Sequence, residues 1–285
     1  MKEKTYKAYA KINIILDVLG KRDDGYHELE MIMQNVDLYD VVTVKKTEEG
    51  IVLSSGRDDL PSDKGNIAYR AAELMIERYG VKGGVDIKIE KNIPVAAGLA
   101  GGSTDGAAVI KAVNDLYELG LDEEELKECA AMLGSDIPYC VAGKTSFAYG
   151  RGTELTYLNP MPKMNVVLAK PDIDVSTAFV YKNYKAENVE KRPDTKKMIE
   201  AVNKGDKQTI ALGLCNVLES VTTVHYPIIN EIKNEMIKNG AVNALMSGSG
   251  PTVFAVFENK ETADNAVSVI KEKFGINEVY SVTTV

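Results

Sequence analysis

The stretch Asn92–Val109, NIPVAAGLAGGSTDGAAV, crowds four glycines among small and apolar residues. It follows Val85–Glu90, VDIKIE, which alternates apolar and charged residues like a half-buried strand, and it leads into an apolar stripe with helical spacing up to Tyr117. Small residues between a strand and a helix let amide groups and the helix dipole approach an anion such as phosphate. Ser103 or Thr104 could cap this helix and offer a hydroxyl to the phosphate or its magnesium ion.

Two commoner nucleotide motifs are excluded by spacing. G-x-x-x-x-G-K-[ST] is absent, because the residue five positions before Gly143 is Pro138. G-x-G-x-x-G is absent, because Gly248 and Gly250 are followed by Val253 where the third glycine belongs. For the glycine segment taken alone, a structural glycine-rich turn remains an alternative to a phosphate site.

The composition is that of a globular protein, with 285 residues, 45% hydrophobic residues and 27% charged residues. A net charge of -8 argues against nucleic-acid or acidic-membrane partners but leaves room for one basic pocket. Cys129, Cys140 and Cys215 form no CxxC pair, and two histidines add too few ligands for a zinc cluster. We therefore predict a cytoplasmic protein without a membrane span.

Two further helices are predicted beside the glycine segment. One covers Asn66–Tyr79, and the other covers Asp122–Leu133, where Asp122 and Glu125 have the spacing of a capping box. Gly120 is the expected stop of the helix that follows the glycine segment.

A domain boundary is predicted near Asn159, where prolines interrupt the chain, giving domains at residues 1–158 and 159–285. The second half contains a strand-like stretch at Asn165–Lys170 and a later amphipathic helix starting near Ile228. Strands on both sides of SGSGPT, a helix ending at Phe274 and a last strand follow. Such mixing without regular βα alternation predicts an α+β fold.

Four motifs resemble those of the GHMP small-molecule kinases, and they occur along this chain in the same order as in that family. PVAAGLAGGSTDGAA at Pro94–Ala108 is similar to the family's ATP-phosphate loop, and AYAKINIILDVLGKRDDGYHELE at Ala8–Glu30 to its first motif. NALMSGSGPTVFAVF at Asn243–Phe257 is similar to the third motif, and LGSDIPYCVAGKTSFAYGRG at Leu133–Gly152 also matches. The resemblance implies a two-domain GHMP kinase fold, with a ribosomal protein S5 domain 2-like ATP-binding domain and a ferredoxin-like C-terminal domain.

The combination of AKIN, GYH and LGSDIPYCVAG is most similar to family members that phosphorylate a cytidine diphosphate methylerythritol in the non-mevalonate isoprenoid pathway. It implies ATP, Mg²⁺, a small-molecule substrate and a monomer or homodimer. The residues implied to bind ATP are Pro94, Val95, Ala96, Ala97, Gly98, Leu99, Ala100, Gly101, Gly102, Ser103 and Thr104.

Two alternative functions stay open. Another GHMP kinase, acting on homoserine or mevalonate, is one, although GYH favours a substrate that carries a base. A noncatalytic nucleotide-binding relative is the other, and the presence of Lys11 and Asp136 argues against it.

The resemblance makes Lys11 and Asp136 the catalytic pair. Asp136 would accept the proton of the attacking hydroxyl or orient it, and Lys11 would stabilise the developing alkoxide. From position alone, Asp136 could instead be a helix cap, and Lys11 an outward-facing lysine of a strand.

The resemblance also implies a base pocket. Tyr26 would stack on the cytosine, His27 would bond its edge and Tyr181 would close the other face, while Asn13 and Thr177 would lie near substrate hydroxyls and phosphates. Without the resemblance, Tyr26 and His27 are equally typical of an ordinary loop.

SGSGPT at Ser247–Thr252 has the form of a tight hairpin, and the resemblance makes it a wall of the site without a chemical step. Ala97 and Ala100 stand where many relatives carry glycine. A methyl group at these positions is expected to require negative φ angles.

Overall fold

In the computed structural model, which describes residues 2–285, the chain forms two compact units that alternate along the sequence. The first contains the described residues up to Ala10, then Leu38–Val95 and Ala100–Gly143; the second contains Lys11–Asp37, Ala96–Leu99 and Lys144–Val285. Two long strands, β1 (Glu3–Lys21) and β2 (His27–Thr47), contribute residues to both units. The continuous domain bounds 1–158 and 159–285 stay a prediction.

In the first unit, β4 (Gly84–Glu90) pairs antiparallel with the second half of β2 and parallel with β3 (Ile51–Ser54). The alternation in Val85–Glu90 is confirmed, because Val85, Ile87 and Ile89 are buried. The order of strand, glycine loop and helix is therefore also confirmed.

Four helices complete the first unit: α1 (Ile67–Arg78), α2 (Gly101–Tyr117), α3 (Glu123–Ala131) and α4 (Ile137–Ala142). The predicted helix starts are confirmed, since Asn66 accepts a hydrogen bond from the Ala68 amide and Asp122 forms a capping box with Glu125. The expected stop at Gly120 is wrong by two residues. Helix α2 ends at Tyr117 because Glu118 already adopts a left-handed conformation, with φ 53°.

A close helix contact explains Gly106 in the glycine segment. A methyl group at Gly106 would lie 2.7 Å from Cγ2 of Ile67 in α1. This glycine therefore serves the packing of α1 on α2 and aligns the axis of the helix that begins at the loop.

A buried charge cluster of Asp40, Lys91 and Asp105 holds both ends of the glycine segment within this unit. Lys91 Nζ lies 2.5 Å from Asp40 Oδ2 and 2.6 Å from Asp105 Oδ2, and all three side chains are at most 5% exposed. Asp40 Oδ1 also accepts hydrogen bonds from the amides of Asn92 and Ile93, at 2.6 and 2.8 Å. The cluster thus ties the chain after β4 to the first turns of α2.

In the second unit, residues of β1 pair parallel with the short strand β8 (Cys215–Asn216). The first part of β2 pairs antiparallel with β5 (Ser146–Gly150), which pairs with β6 (Glu154–Tyr157). Residues Lys11 and Asn13 lie on this part of β1, so the sheet fixes their positions.

A separate antiparallel sheet has the strand order β11, β7, β10, β9, formed by Val279–Thr283, Asn165–Ala169, Val253–Phe257 and Asn243–Met246. The remaining helices are α5 (Thr177–Asn183), α6 (Thr195–Lys204), α7 (Lys207–Leu212), α8 (Glu219–His225), α9 (Ile228–Lys238) and α10 (Lys260–Phe274), with a 3₁₀ turn at Ala186–Asn188. The strands and helices predicted for the second half are confirmed, as is the α+β class. Across residues 2–285, no helix is both long and apolar enough to cross a membrane.

The backbone of the glycine segment contradicts one expectation. Ala100 has φ +58°, so the expected negative angle is wrong there, whereas Ala97 is not among the residues with positive φ; Ala96 has φ +52°. The carbonyl of Leu99 accepts from the Lys11 amide, and the carbonyl of Ala100 accepts from the Thr104 amide. Because both carbonyls are engaged, the chain turns at Ala100 in spite of its methyl group.

We predict that Ala100→Gly raises the free energy of unfolding by a few tenths to about 1 kcal/mol. Glycine adopts the left-handed region without the steric cost of about 1 to 2 kcal/mol that alanine carries, and this gain exceeds its larger unfolded-state entropy. Urea denaturation measures the change. Ala97→Gly is the matched control and is expected to lower stability by about 1 kcal/mol, because it gains only flexibility and loses a buried methyl. Equal losses in both variants would contradict the strain at Ala100.

The buried side chain of Asp105 is expected to make the stability of the protein depend on pH. Burial raises the pKa of Asp105 to about 7, the Lys91 charge opposes this rise and the Asp40 charge adds to it. The folded protein therefore holds a proton that the unfolded chain loses near pH 4, so this contribution to stability falls as pH rises from about 4 to about 7. Asp105→Asn should remove this pH dependence, so its stability relative to the parent protein should rise by about 2 to 3 kcal/mol between pH 5 and pH 8.

Urea titrations at several pH values check this expectation. Asp115→Asn is the control, since it removes a carboxylate from the same helix where the side chain is 42% exposed. A constant difference between Asp105→Asn and the parent protein over this pH range would show that Asp105 holds no such proton.

Candidate active site

Lys11 is buried in β1 at 4% exposure, so the outward-facing alternative is wrong. Its Nζ donates to Asn13 Oδ1 at 2.7 Å, and Asn13 Nδ2 contacts Met31 Sδ at 3.2 Å. Residues two apart on a strand share a face, which explains why this pair meets. Asn13 thereby orients the ammonium group of Lys11.

The loop residues Ala96–Leu99 and the turn Ser247–Thr252 contact each other within the second unit. Ser247 Oγ donates to the carbonyl of Gly98 at 3.0 Å, and a methyl at Gly98, whose φ is +73°, would overlap the Ser247 carbonyl oxygen. A methyl at Gly248 would lie 3.5 Å from Lys11 Nζ. Glycine at position 98 therefore lets the two loops come together, whereas glycine at position 248 suits the left-handed φ of +58° there. The hairpin predicted for SGSGPT is confirmed, since β9 and β10 pair on either side of it.

Helix α2 begins at Gly101, with Ala100 as its N-cap. The first amides of a helix have no carbonyl one turn earlier, so this end can accept an anion. The expected cap by Ser103 or Thr104 is wrong: both lie inside the first turns, and no side chain caps the helix. Thr104 is buried while Ser103 is partly exposed, so of the two hydroxyls Ser103 is better placed to meet a phosphate or its metal ion.

Gly101 has a steric function beside this helix start. A methyl there would lie 3.0 Å from Lys91 Nζ and 3.1 Å from Ile93 Cγ2. The small residue leaves space for the lysine that joins Asp40 to Asp105, so the charge cluster and the glycine segment depend on each other.

Asp136 occupies the N-cap position of α4, yet its side chain makes no capping hydrogen bond. The helix-cap alternative is therefore wrong for its carboxylate, which is partly exposed. Burial raises the pKa of the neighbouring Tyr139, and the charges of Cys140 and Asp136 raise it further. The role of Asp136 as base or orienter stays a prediction.

His27 and Tyr181 form a ring pair, with centroids 5.2 Å apart and planes inclined by 31°. His27 begins β2, and Tyr181 lies in α5. Burial, followed by the charge of Lys21, lowers the pKa of His27, which favours the neutral imidazole. A neutral ring can both donate and accept a hydrogen bond, as recognition of a polar base edge requires.

Tyr26 is 52% exposed, and the Arg151 guanidinium carbon lies 3.9 Å from the centroid of its ring. The turn around it is fixed, because the Tyr26 amide donates to Asp24 Oδ1 and its carbonyl accepts from the Arg22 amide. Arg151 therefore covers one face of the tyrosine by a cation–π contact, and the opposite face is the one suited to a base.

Thr177 is the first residue of α5, which Ser176 caps by accepting from the Phe179 amide. Its Oγ1 lies 2.8 Å from Oγ of Ser249 in the Ser247–Thr252 turn. Thr177 is thus joined to the same turn that lies close to Lys11.

The structure brings together, within the second unit, Lys11, Asn13 and Gly98 around one turn, and His27 with Tyr181 in a ring pair. The first unit holds Pro94, Val95, Ala100–Thr104 and Asp136. The catalytic pairing of Lys11 with Asp136 and the ATP contacts stay predictions.

Sequence reasoning missed several residues of this region. Asp40, Lys91 and Asp105 are charged residues at positions buried by the fold, and their spacing of 51 and 14 residues gives no local signal. Arg151 lies in the LGSDIPYCVAGKTSFAYGRG motif, and its position directly after a strand is the signal that could have identified it.

Comparison with known families gives two matches. The family model described as GHMP kinases N terminal domain matches residues 66–144, and that described as GHMP kinases C terminal matches residues 198–276.

A relative from Caldicellulosiruptor bescii, named 4-diphosphocytidyl-2-C-methyl-D-erythritol kinase, is 49% identical over 93% of this chain and 93% of its own length. A relative of the same name from Clostridium acetobutylicum is 46% identical over 98% of this chain and 99% of its own.

Solved structures of kinases also match the fold of this chain. The crystal structure of a 4-(cytidine 5'-diphospho)-2C-methyl-D-erythritol kinase matches with a TM-score of 0.84 and 32% identity, covering 99% of both chains. The homoserine kinase from Cytophaga hutchinsonii matches with a TM-score of 0.78 over 100% of this chain and 96% of its own, but at 19% identity this shows the fold alone. With both family models matched and relatives near half identical over nearly the full length, this chain belongs to the GHMP kinase family.

Proposed function

We propose that this chain transfers the γ-phosphoryl group of ATP to the 2-hydroxyl of 4-diphosphocytidyl-2-C-methyl-D-erythritol, in the non-mevalonate isoprenoid pathway. The observation that supports this substrate is the His27–Tyr181 ring pair, together with the exposed Tyr26 that directly precedes His27 in the chain. A cytosine offers a π face and polar edges, which such a set of rings can recognise. The names and identities of the relatives support the same substrate.

The proposed reaction is an in-line displacement. The substrate hydroxyl oxygen bonds to the γ-phosphorus as the bond from that phosphorus to the β,γ-bridging oxygen breaks, and ADP leaves. The hydroxyl proton passes to the Asp136 carboxylate, directly or after transfer has begun. Since the transition state is loose, orientation and charge stabilisation contribute more than early proton removal.

Lys11 supplies the positive charge in this proposal. Asn13 holds its ammonium group at 2.7 Å, so that it is oriented before substrate binds. A lysine beside a carboxylate stabilises the alkoxide but also lowers the basicity of the carboxylate, which is why Asp136 is proposed as a base or orienter.

The magnesium ion that such kinases use would neutralise phosphate charge. Mg²⁺ is generally held by phosphate oxygens and a few protein oxygens. The partly exposed Ser103 hydroxyl at the start of α2 fits this task, whereas the buried Thr104 does not. A cytoplasmic location and a monomeric or homodimeric state remain further proposals.

The direct test is an ADP-release assay over three alcohols: 4-diphosphocytidyl-2-C-methyl-D-erythritol, homoserine and mevalonate. We expect turnover of the first alone, with phosphate found on its 2-hydroxyl by ³¹P NMR. Turnover of homoserine or mevalonate without the cytidine substrate would replace this assignment, and binding of ATP without any turnover would indicate a noncatalytic relative.

For Asp136→Asn we predict a fall in kcat of about 100-fold or more, with the KM for ATP changed less than about threefold, because the lost charge acts in the transition state. Asp122→Ala is the matched control, since Asp122 is the N-cap residue of another helix in the same unit and does cap it. That variant should lose about 1 kcal/mol of stability and keep kcat. An unchanged kcat in Asp136→Asn would remove Asp136 from the mechanism.

For Tyr26→Ala we predict an increase of about tenfold in the KM for the cytidine substrate, since stacking on a base contributes about 1 to 3 kcal/mol. The KM for ATP and kcat should change little. Tyr26→Phe keeps the ring and is expected to behave like the parent protein. Steady-state kinetics with each substrate varied in turn measure kcat and both KM values. A parent-like KM for the cytidine substrate in Tyr26→Ala would contradict the stacking role.

A further inference from the structure

The segment that runs from the end of α5 to the first residue of α6, residues 184–195, is attached to the strands on either side of the Tyr26–His27 turn. We call this segment the strap. Tyr184 Oη donates to the carbonyl of Val18 in β1 at 3.3 Å. Thr195 Oγ1 donates to Glu30 Oε2 in β2 at 2.8 Å, so both strands on either side of the turn are contacted.

Arg192 makes the central attachment of the strap. Its Nη1 donates to Asp17 Oδ1 at 2.6 Å and to the Val18 carbonyl at 3.1 Å, and its Nη2 donates to Tyr184 Oη at 3.2 Å. The planar fork of a guanidinium allows all three bonds at once, which a lysine ammonium could not match in this geometry.

Asp17 gives this attachment its strength. The Asp17 side chain is 6% exposed, whereas that of Arg192 is 40% exposed. Asp17 Oδ1 also accepts from the Val18 amide at 2.8 Å. A buried carboxylate requires a charge partner, so loss of Arg192 would leave Asp17 uncompensated and release the strap from β1.

Tyr184 connects Arg192 to the base pocket. The Tyr184 ring stands edge-on to the His27 ring, with centroids 6.4 Å apart and planes at 84°, while Tyr181 lies against the same imidazole at 5.2 Å. The orientation of His27 is thus limited by two rings, one on α5 and one held by Arg192. Tyr184 cannot rotate freely while its hydroxyl bridges Arg192 and Val18.

We infer that Arg192 is a positioning residue for recognition of the substrate's base: through Tyr184 and Asp17 it fixes the orientation of the His27 imidazole. The inference rests on the proposed function, and it assigns to the strap the orientation of the side chains that bind the base. Arg192 takes no part in phosphoryl transfer, so its effect falls on the binding of the cytidine substrate and leaves ATP binding unchanged.

The test compares Arg192→Gln with a matched control in the same unit. Lys273 pairs with Glu235 at 2.6 Å, with side chains 50% and 11% exposed, so Lys273→Gln also removes a half-exposed cation from a buried carboxylate. We expect a rise of about tenfold in the KM for the cytidine substrate in Arg192→Gln, with kcat and the KM for ATP within about twofold. Lys273→Gln should lower the melting temperature without changing any KM.

Two milder variants keep the inference testable if Arg192→Gln folds poorly. Arg192→Lys restores the charge beside Asp17 but not the bond to Tyr184, so it should recover stability and retain a raised KM. Tyr184→Phe removes the bridging hydroxyl alone and should raise the KM about threefold. A parent-like KM in both variants, or equal changes in kcat and both KM values, would overturn the inference.

An NMR titration separates this inference from the proposed function. The chain has two histidines, His27 and His225, so both imidazoles can be followed and His225 serves as the internal reference. In Arg192→Gln the pKa of His27 should move towards its ordinary value, because the ring loses the neighbour that keeps it buried. An unchanged His27 titration contradicts the positioning role. Absence of turnover by the parent protein contradicts the proposed function.

Discussion

The ion cluster of Asp40, Lys91 and Asp105 is the interaction on which the glycine segment depends. A buried lysine is tolerated only where its charge is compensated, and here the side chains of Asp40 and Asp105, from different elements, share one ammonium group. Asp40 also accepts the two amides that precede Pro94, so a single carboxylate joins the charge cluster to the backbone at the start of the loop. The glycines make the loop permissive, and the ion cluster determines which conformation it adopts.

Several glycines occupy positions where a neighbouring atom lies too close for a side chain, so they are needed for space more than for flexibility. Gly101 leaves space for Lys91, Gly106 for Ile67 and Gly98 for the Ser247 carbonyl, so each lies where a methyl group would meet a neighbouring atom. The positions that carry alanine instead show the complementary case. Ala100 takes a left-handed φ, so its strain is conformational and is offset by the hydrogen bonds on either side.

Local patterns predicted the parts of the fold that depend on local chemistry. The alternation in Val85–Glu90 and the capping box at Asp122 concern residues close in sequence, and both are confirmed. The left-handed turn at Ala100 could not be predicted, because alanine rarely adopts it. Nor could the pair of Asp17 and Arg192, 175 residues apart, since an aspartate within an apolar strand indicates only that some partner is needed. Lys11 and Asp136 were singled out by resemblance, while burial of Lys11 and the absence of a cap bond at Asp136 came from the structure.

Proteins that share this fold are expected to select their substrates through side chains. A homoserine kinase shares this fold, with a TM-score of 0.78 at 19% identity, so the backbone alone does not identify the substrate proposed for this chain. The distinguishing features must then be groups that a base requires and a small alcohol does not. In this chain the groups proposed to bind a base lie around the turn between β1 and β2, where Arg151 covers Tyr26 and the ring of Tyr181 contacts His27. Because Asp17 lies on the same strand as Lys11, one strand carries both a proposed catalytic group and the anchor of the proposed base pocket. Changes at the end of β1 and in the strap can therefore alter the proposed base pocket without altering Lys11, the proposed catalytic residue.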